Sequence, residues 1–391
     1  MKRVYLDHAS ATPVRREALE AMMPYFAEAF ENPSSVYDRG FAIKAAVDEA
    51  REKVASLIHA KPKEVLFTSS GAESNNLAVK GAALANLRKG RHIIVSAIEH
   101  HSVLNAARYL ERFHDFEVTF LPVTETGLVD PERLRRAITD DTVLVSIMHG
   151  NNEIGTLQSV AELSAICREK GVLFHTDAVA TVGQVPVDVE ALGVDLLSLS
   201  GPALGAPKGT GALFFRDRLR FVPLIHGGIQ ENGRRAGTEN VPGIVALGKA
   251  AELAQGELEK KAAHLQTLRH ALVEGVLGAV PRVHHTGHPE QRLPGHASFC
   301  FEGVEGEALI FLLAQNGVYA STGSACASKA LKTSPVLIAI GMDAAVAQGS
   351  VVFTLGPDNT LDEATYTVDV LTKVVDRLRS FSPVWRKKTA A

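Results

Sequence analysis

Seven short apolar runs, separated by helix-like stretches, constrain this chain more than any other feature. They are VLFTSS (65–70), HIIVSAI (92–98), FEVTFLPV (116–123), TVLVSIMHG (142–150), VLFHTDAV (172–179), LLSLSG (196–201) and GALFFR (211–216). Each is rich in Val, Ile, Leu and Phe with little polar alternation, the pattern of strands buried on both faces of a mostly parallel sheet. The intervals hold AESNNLAVKGAALANL (72–87), SVLNAARYLERF (102–113) and SVAELSAICREK (159–170), which read as helices. Strand–helix–strand repetition predicts a doubly wound α/β unit of about seven strands. A long amphipathic helix over 39–60 precedes it, with Glu49 and Lys53 at a supportive i,i+4 spacing. Another long helix over 244–278 follows, and strands then thin out: 297–303 and 350–356 alternate with helical 305–317 and 362–381. The expectation is a large α/β domain over 15–257 and a smaller α+β domain formed by 1–14 and 258–391, joined through the long helix.

The 391 residues are 46% hydrophobic and 22% charged, which excludes a disordered, collagenous or coiled-coil chain. Forty-one basic side chains against 44 acidic ones give −3, so no nucleic-acid partner is expected. Cys167, Cys300 and Cys326 are too few and too scattered for a disulfide framework or a four-ligand zinc site. No apolar run approaches the roughly 20 residues of a membrane span. MKRVYLDHASATPV has basic residues but no apolar signal core, so a cytoplasmic protein with no membrane partner is expected.

In an open parallel sheet, ligands bind beyond the carboxyl ends of the strands. The first run ends in Ser69-Ser70-Gly71-Ala72-Glu73, a small turn opening a helix; with Gly71 at its head, it suits a phosphate held by backbone N–H groups. The second ends in Glu99-His100-His101. Adjacent histidines point in different directions, so a helix cap or an aromatic platform competes well with a metal site. Asn151-Asn152-Glu153 closes the fourth run. The fifth carries His175 and Asp177, and a buried Asp is costly unless it is hydrogen-bonded in the core or paired with a cation. The sixth ends Ser198-Leu199-Ser200-Gly201. Separately, Ser321–Ser328 is a loop of small residues carrying one thiol, Cys326. Core packing explains that thiol poorly, and an exposed polar loop suits a reactive one.

Taken together, YLDHASATPV (5–14), ENPSSVYDRG (31–40), VLFTSSGAESNNLAVKG (65–81), SAIEHHSVL (96–104), VSIMHGNNEIGTLQ (145–158), FHTDAV (174–179), HGGIQENGRRAGTENV (226–241), STGSACAS (321–328) and SPVW (382–385) resemble the cysteine desulfurases of the NifS/IscS type, pyridoxal-phosphate enzymes of the class V aminotransferase family. The resemblance runs over nearly the whole chain. It implies a fold-type I transferase in which an aspartate holds the pyridine nitrogen and makes the ring an electron sink. Asp177 matches that aspartate, and His100 the histidine stacked on the ring. Asn152 matches the residue beside the ring hydroxyl; Ser200 and Thr238 match phosphate contacts, Thr238 serving the second subunit of a homodimer. Cys326 matches the cysteine that takes sulfur from the substrate L-cysteine and carries it as a persulfide.

The same resemblance makes the departures specific. The family's sixth strand runs into Ser-Gly-His-Lys, whose lysine bonds the cofactor aldehyde; here the chain reads Ser200-Gly201-Pro202-Ala203. The glutamine near the cofactor hydroxyl falls on Ala180, a phosphate-binding threonine on Ala72, and the arginine that clamps the substrate carboxylate on Val352. Pro357 stands where some members carry another arginine. Lys208 belongs to a segment in which ordinary members have a lysine alongside the anchor, so it is not a replacement. General acid–base help from such a lysine contributes about 100- to 10,000-fold in rate. The sequence therefore predicts a desulfurase homologue that has lost standard desulfuration, binds pyridoxal phosphate noncovalently or not at all, and serves an iron–sulfur scaffold or sulfur-acceptor protein as persulfide carrier or scaffold. An active desulfurase, or another pyridoxal- or pyridoxamine-phosphate reaction, is the alternative.

Overall fold

A computed structural model describes residues 2–323, 333–383 and 385. All seven runs form strands of one sheet: β1 (Val65–Thr68), β2 (His92–Ser96), β3 (Glu117–Leu121), β4 (Thr142–Ser146), β5 (Leu173–Asp177), β6 (Leu196–Ser200) and β7 (Gly211–Phe215). Their spatial order is β1-β7-β6-β5-β4-β2-β3. The run from β6 through β5, β4 and β2 to β3 is parallel, whereas β7 lies antiparallel to both β1 and β6. The sheet is the mostly parallel one expected, with β7 as its reversed member.

Burial on both faces explains the unbroken apolar runs. Phe67, Ile94, Val145, Leu197 and Phe214 pack toward helices α1 (Asp38–Leu57), α4 (Val160–Glu169) and α6 (Val241–Ala279). Their neighbours Leu66, Ile93, Val95, Leu144, Leu196 and Leu213 pack the other way, onto Leu77, Val79 and Ala82, which follow α2 (Gly71–Asn76), and onto α3 (His101–His114). Successive strand residues point to opposite faces, so a strand covered on both sides has no position left for a polar alternation. The helix opened by α2 continues through a wide turn (Leu77–Gly81) to Ala85.

Helix α6 runs 39 residues, about 58 Å at 1.5 Å per residue. Ile244, Leu247 and Ala251 join the sheet core. Leu265, Leu268, Leu272 and Val276, farther along, join a second core with Phe299, Phe301, Phe353 and Leu371. That core lies against the antiparallel strands β8 (Val283–His285), β9 (His296–Phe301) and β10 (Ser350–Thr354), β9 in the middle. Helices α7 (Gly306–Gln315) and α8 (Leu361–Phe381) complete this half. Val4 and Leu6 belong to the same core, and Val4–Tyr5 pairs in parallel with Val318–Tyr319. Among the described residues no helix is long and apolar enough to cross a membrane.

Sheet register gathers one set of strand ends. Gly211 is opposite Thr68 on one side and Ser200 on the other, and Asp177 is opposite Ser198. The carboxyl ends of β1, β5 and β6 thus converge on a single edge.

Candidate active site

Asp177 ends β5 at that edge and is 4% exposed. One carboxylate oxygen accepts the Val179 N–H at 3.0 Å; the other accepts Asn75 Nδ2 at 2.6 Å. Burial raises the carboxyl above its ordinary value, opposed by those two donors and by the nearby His100. Asn75 lies in α2, four residues from Gly71 and so on the same face. Its amide also donates to Ser102 Oγ at 2.8 Å, while its own Oδ1 is buried with no partner. His100 caps α3: its Nδ1 accepts the Ser102 N–H and shares a hydrogen with Ser102 Oγ at 2.7 Å. Asp177, Asn75, Ser102 and His100 form one connected chain of hydrogen bonds. Sequence reasoning named Asp177 and His100 but not Asn75 or Ser102; the spacing of Asn75 from Gly71 was the available signal.

The glycine-headed turn meets the same edge. A Cβ on Gly71 would stand 2.5 Å from Val179 Cγ2 and 3.5 Å from Ser200 Cβ, so only glycine lets the α2 N-terminus approach β5 and β6 this closely. Ser70 caps the Glu73 N–H, leaving the Gly71 and Ala72 N–H groups and the Ser200 hydroxyl with no hydrogen-bond partner among the described residues. Unused amides at a helix N-terminus, beside a free hydroxyl, suit a phosphate.

His175 belongs to the core: its ring joins Ser146 Oγ (2.8 Å) and Ser198 Oγ (3.0 Å) across three strands. Burial pushes it down to about 3, so it is neutral. His100 and His101 point apart, with ring centroids 6.2 Å from each other and planes at 60°. No group of three metal-ligating side chains occurs among the described residues. Asn151, not Asn152, is the buried amide of its pair. It donates to the Ile98 carbonyl and accepts the N–H groups of Glu153 and Ile154. Asn152 is half-buried, and its carbonyl accepts His296 Nε2 at 2.9 Å. Thr238 is exposed in a groove of about 230 Å³ shared with Tyr25, Phe30 and Glu239. Cys326 lies outside the described residues. Cys167 and Cys300 are buried, their thiols pushed up to about 12 by burial.

A second carboxyl lies beneath the site. Glu99 is 2% exposed; one oxygen accepts Ser96 Oγ (2.6 Å) and the Met148 N–H (2.7 Å), and the other has no partner. Burial pushes it up to about 8, with the Asp177 charge adding to the rise.

Ala203 is half-buried in the single-turn helix α5 (Gly201–Leu204), and Lys208 beyond it is exposed. Val352, 5% exposed on β10, exchanges backbone hydrogen bonds with Ser321. The residues present therefore fit the ring-nitrogen and phosphate ends of pyridoxal phosphate, through Asp177 and the Gly71–Ser200 cradle. At position 203, directly after β6, α5 presents a methyl group, which cannot bond an aldehyde.

A reversed strand in an otherwise parallel seven-stranded sheet, with an aspartate and an amide cradle at its carboxyl edge, defines an α/β fold of the pyridoxal-phosphate transferase type. The class-V aminotransferase profile matches residues 4–365. Cysteine desulfurase IscS of Methanosarcina thermophila is 50% identical over 387 residues, covering 99% of this chain and 95% of its own length. That of Dictyoglomus turgidum is 50% identical over 384 residues, covering 98% and 97%. Among solved structures, a NifS-like protein superposes with TM-score 0.90 at 37% identity, covering 96% of this chain and all of its own. SspA in complex with cysteine gives 0.81 at 34% identity, covering 91% and 100%. The chain belongs to the class V aminotransferase family and is similar to its IscS/NifS cysteine desulfurases.

Glu99 gives a pH signature. Its native carboxyl binds a proton more tightly than the ordinary value of 4.5 allows, so between pH 4.5 and about 8 the folded state holds more protons than the unfolded one. Stability from this group therefore falls as pH rises. Urea unfolding of Glu99→Gln is expected to show a smaller loss between pH 5 and 8 than the parent, by on the order of 3 kcal/mol. Parallel curves would refute the buried neutral acid.

Proposed function

We propose that this chain is a sulfur-transfer protein of the cysteine desulfurase family that has lost the standard pyridoxal-phosphate-dependent cleavage of cysteine. The observation that carries the reading is Ala203: where the family places the amine that bonds the cofactor aldehyde, α5 presents a methyl group. Val352 agrees with it, since an apolar side chain there cannot make the charge-assisted carboxylate contact of an arginine, a contact of roughly 1.5–3 kcal/mol.

When bound, pyridoxal phosphate would supply an electron sink. Asp177 would hold its ring nitrogen, and the Gly71 and Ala72 amides with Ser200 its phosphate. His100, fixed at Nδ1 by Ser102, keeps Nε2 available and would take or give a proton there. Asn75 keeps the Asp177 carboxyl aimed. Sulfur transfer needs none of this chemistry: the Cys326 thiolate attacks the terminal sulfur of a donor persulfide, a Cys326 persulfide forms, and the donor leaves as its thiolate. An iron–sulfur scaffold or other sulfur-acceptor protein is the proposed recipient.

A second reading is active conversion of L-cysteine to L-alanine. It is favoured by the 50% identity to proteins named cysteine desulfurase and by a relative of the same fold in complex with cysteine.

A homodimer is proposed as well. Met23, Phe26, Phe30, Val36, Tyr37, Phe41 and Ile229 are each more than half exposed, more large apolar surface than an isolated soluble chain usually leaves uncovered. Thr238, exposed in the groove beside Phe30, would then serve the partner's cradle.

Three measurements test these proposals. Purified protein mixed with pyridoxal phosphate is expected to release no alanine from cysteine, and a separate portion treated with borohydride and dialysed is expected to retain no cofactor mass. Retained cofactor together with alanine establishes the second reading. Persulfide formation from a small persulfide donor is expected in the parent and not in Cys326→Ser; equal sulfur uptake by the two ends the carrier assignment. Sedimentation is expected to give a dimer at micromolar concentration, and a monomer would overturn that proposal.

A further inference from the structure

The hydrogen-bond chain from Asp177 to His100 has a direction, and its donors reveal it. Asp177 takes the Val179 N–H at one oxygen and Asn75 at the other, at 2.6 Å. Turning the Asn75 amide over would set Oδ1 against the carboxylate, two acceptors with no hydrogen between them. Asn75 therefore presents Nδ2, although its Oδ1 is left buried without a partner. That nitrogen carries two hydrogens: the first goes to Asp177, the second to Ser102 Oγ at 2.8 Å. Ser102 Oγ thus accepts from Asn75, and its own hydrogen is left for His100 Nδ1, 2.7 Å away. The Ser102 N–H donates to the same ring nitrogen at 3.2 Å. With two donors aimed at it, Nδ1 offers its lone pair, and the neutral ring carries its hydrogen on Nε2.

The backbone holds this arrangement in place. Ser102 lies in the first turn of α3, which His100 caps, and Asn76 Nδ2 reaches the Ser102 carbonyl from α2 at 3.4 Å. The helix that Gly71 seats against Val179 and Ser200 therefore fixes both the hydroxyl and the carbonyl of Ser102. A hydrogen on Nδ1 would confront the Ser102 N–H and leave the Ser102 O–H with no acceptor in the chain of bonds.

We propose that Asn75 and Ser102 are positioning residues that hold His100 as the tautomer with its hydrogen on Nε2, so that the site meets a ligand with an acceptor at Asp177 and a donor at His100. Nε2 has no hydrogen-bond partner among the described residues. A ligand suited to both ends brings a protonated ring nitrogen to Asp177 and an acceptor, such as a carboxylate or thiolate, to Nε2. A C–H bond awaiting a base finds none at His100, because the ring gives its Nε2 hydrogen before it can take one. The proposal rests on reading Asp177 and His100 as one ligand site, but its test reads the unloaded chain, whether or not a cofactor binds.

Nitrogen-15 spectra of the full chain, labelled only at histidine, report the tautomer, because a ring nitrogen bearing a hydrogen resonates far from one with a lone pair. His100→Gln identifies the signals by their loss. At pH 8.5, above the ordinary histidine value of about 6.5, neutral rings dominate. The parent is expected to show one hydrogen on the His100 ring, at Nε2. Ser102→Ala should move the Nδ1 signal toward that of an unbonded ring nitrogen. The preference for the Nε2 tautomer should fall about fivefold, the factor matching one hydrogen bond of ordinary net strength. Ser102→Thr, which keeps a hydroxyl, should restore the parent signals. Asn75→Ala frees the Ser102 hydroxyl to turn and should shift Nδ1 in the same direction as Ser102→Ala. A parent spectrum with the hydrogen on Nδ1, or on both nitrogens, overturns the proposal and needs no variant to fold. So does a Nδ1 signal that either Ser102→Ala or Asn75→Ala leaves unmoved. Retained cofactor with alanine release would instead strike only the lost-cleavage reading.

Discussion

The desolvated carboxylate of Asp177 is the constraint on which the rest of the site depends. A parallel strand buried on both faces has no solvent to offer an ion, so Asp177 is tolerable only where the chain supplies donors at the strand's end. Val179 supplies one through the turn after β5, and Asn75 the other from the helix that follows β1. Asn75 reaches it because Gly71 lets that helix start against Val179 and Ser200. The sheet order, the glycine and the asparagine are thus parts of one solution to burying one charge. Glu99 shows the contrasting solution: with one oxygen left bare, burial keeps it neutral near physiological pH.

Around the site the backbone is regular at the positions the sequence singles out: α5, with Ala203, forms directly after β6, and Val352 exchanges backbone hydrogen bonds with Ser321. Glu153 stands against Gly323 on one side and Ser334 on the other.

Several of the site's contacts were hidden from the linear pattern for identifiable reasons. Asn75 carries little signal inside a helix rich in small residues beyond its spacing from Gly71, and its role exists only because the sheet brings the helix that follows β1 to the end of β5. The pairing of Glu153 with Ser334 spans 181 positions, which no local periodicity encodes. Asn151 and Asn152 are indistinguishable in the motif, yet one is a buried staple and the other a half-buried group with its carbonyl taken. Thr238 was legible as a residue but not as a location, since the groove it lines is made with the irregular segment around Phe30.

What the amino-acid order determined was the alternation of doubly buried strands and helices, because hydrophobic periodicity is a local property and burial on two faces erases polar positions within each strand. It also determined that position 203 carries a methyl group, which is a matter of composition at one site. Only the tertiary structure decided that β7 runs against its neighbours, which strand ends meet, and which carboxyls keep their protons. Those outcomes turn on through-space distance and exclusion from water, quantities that exist only after the chain has closed on itself.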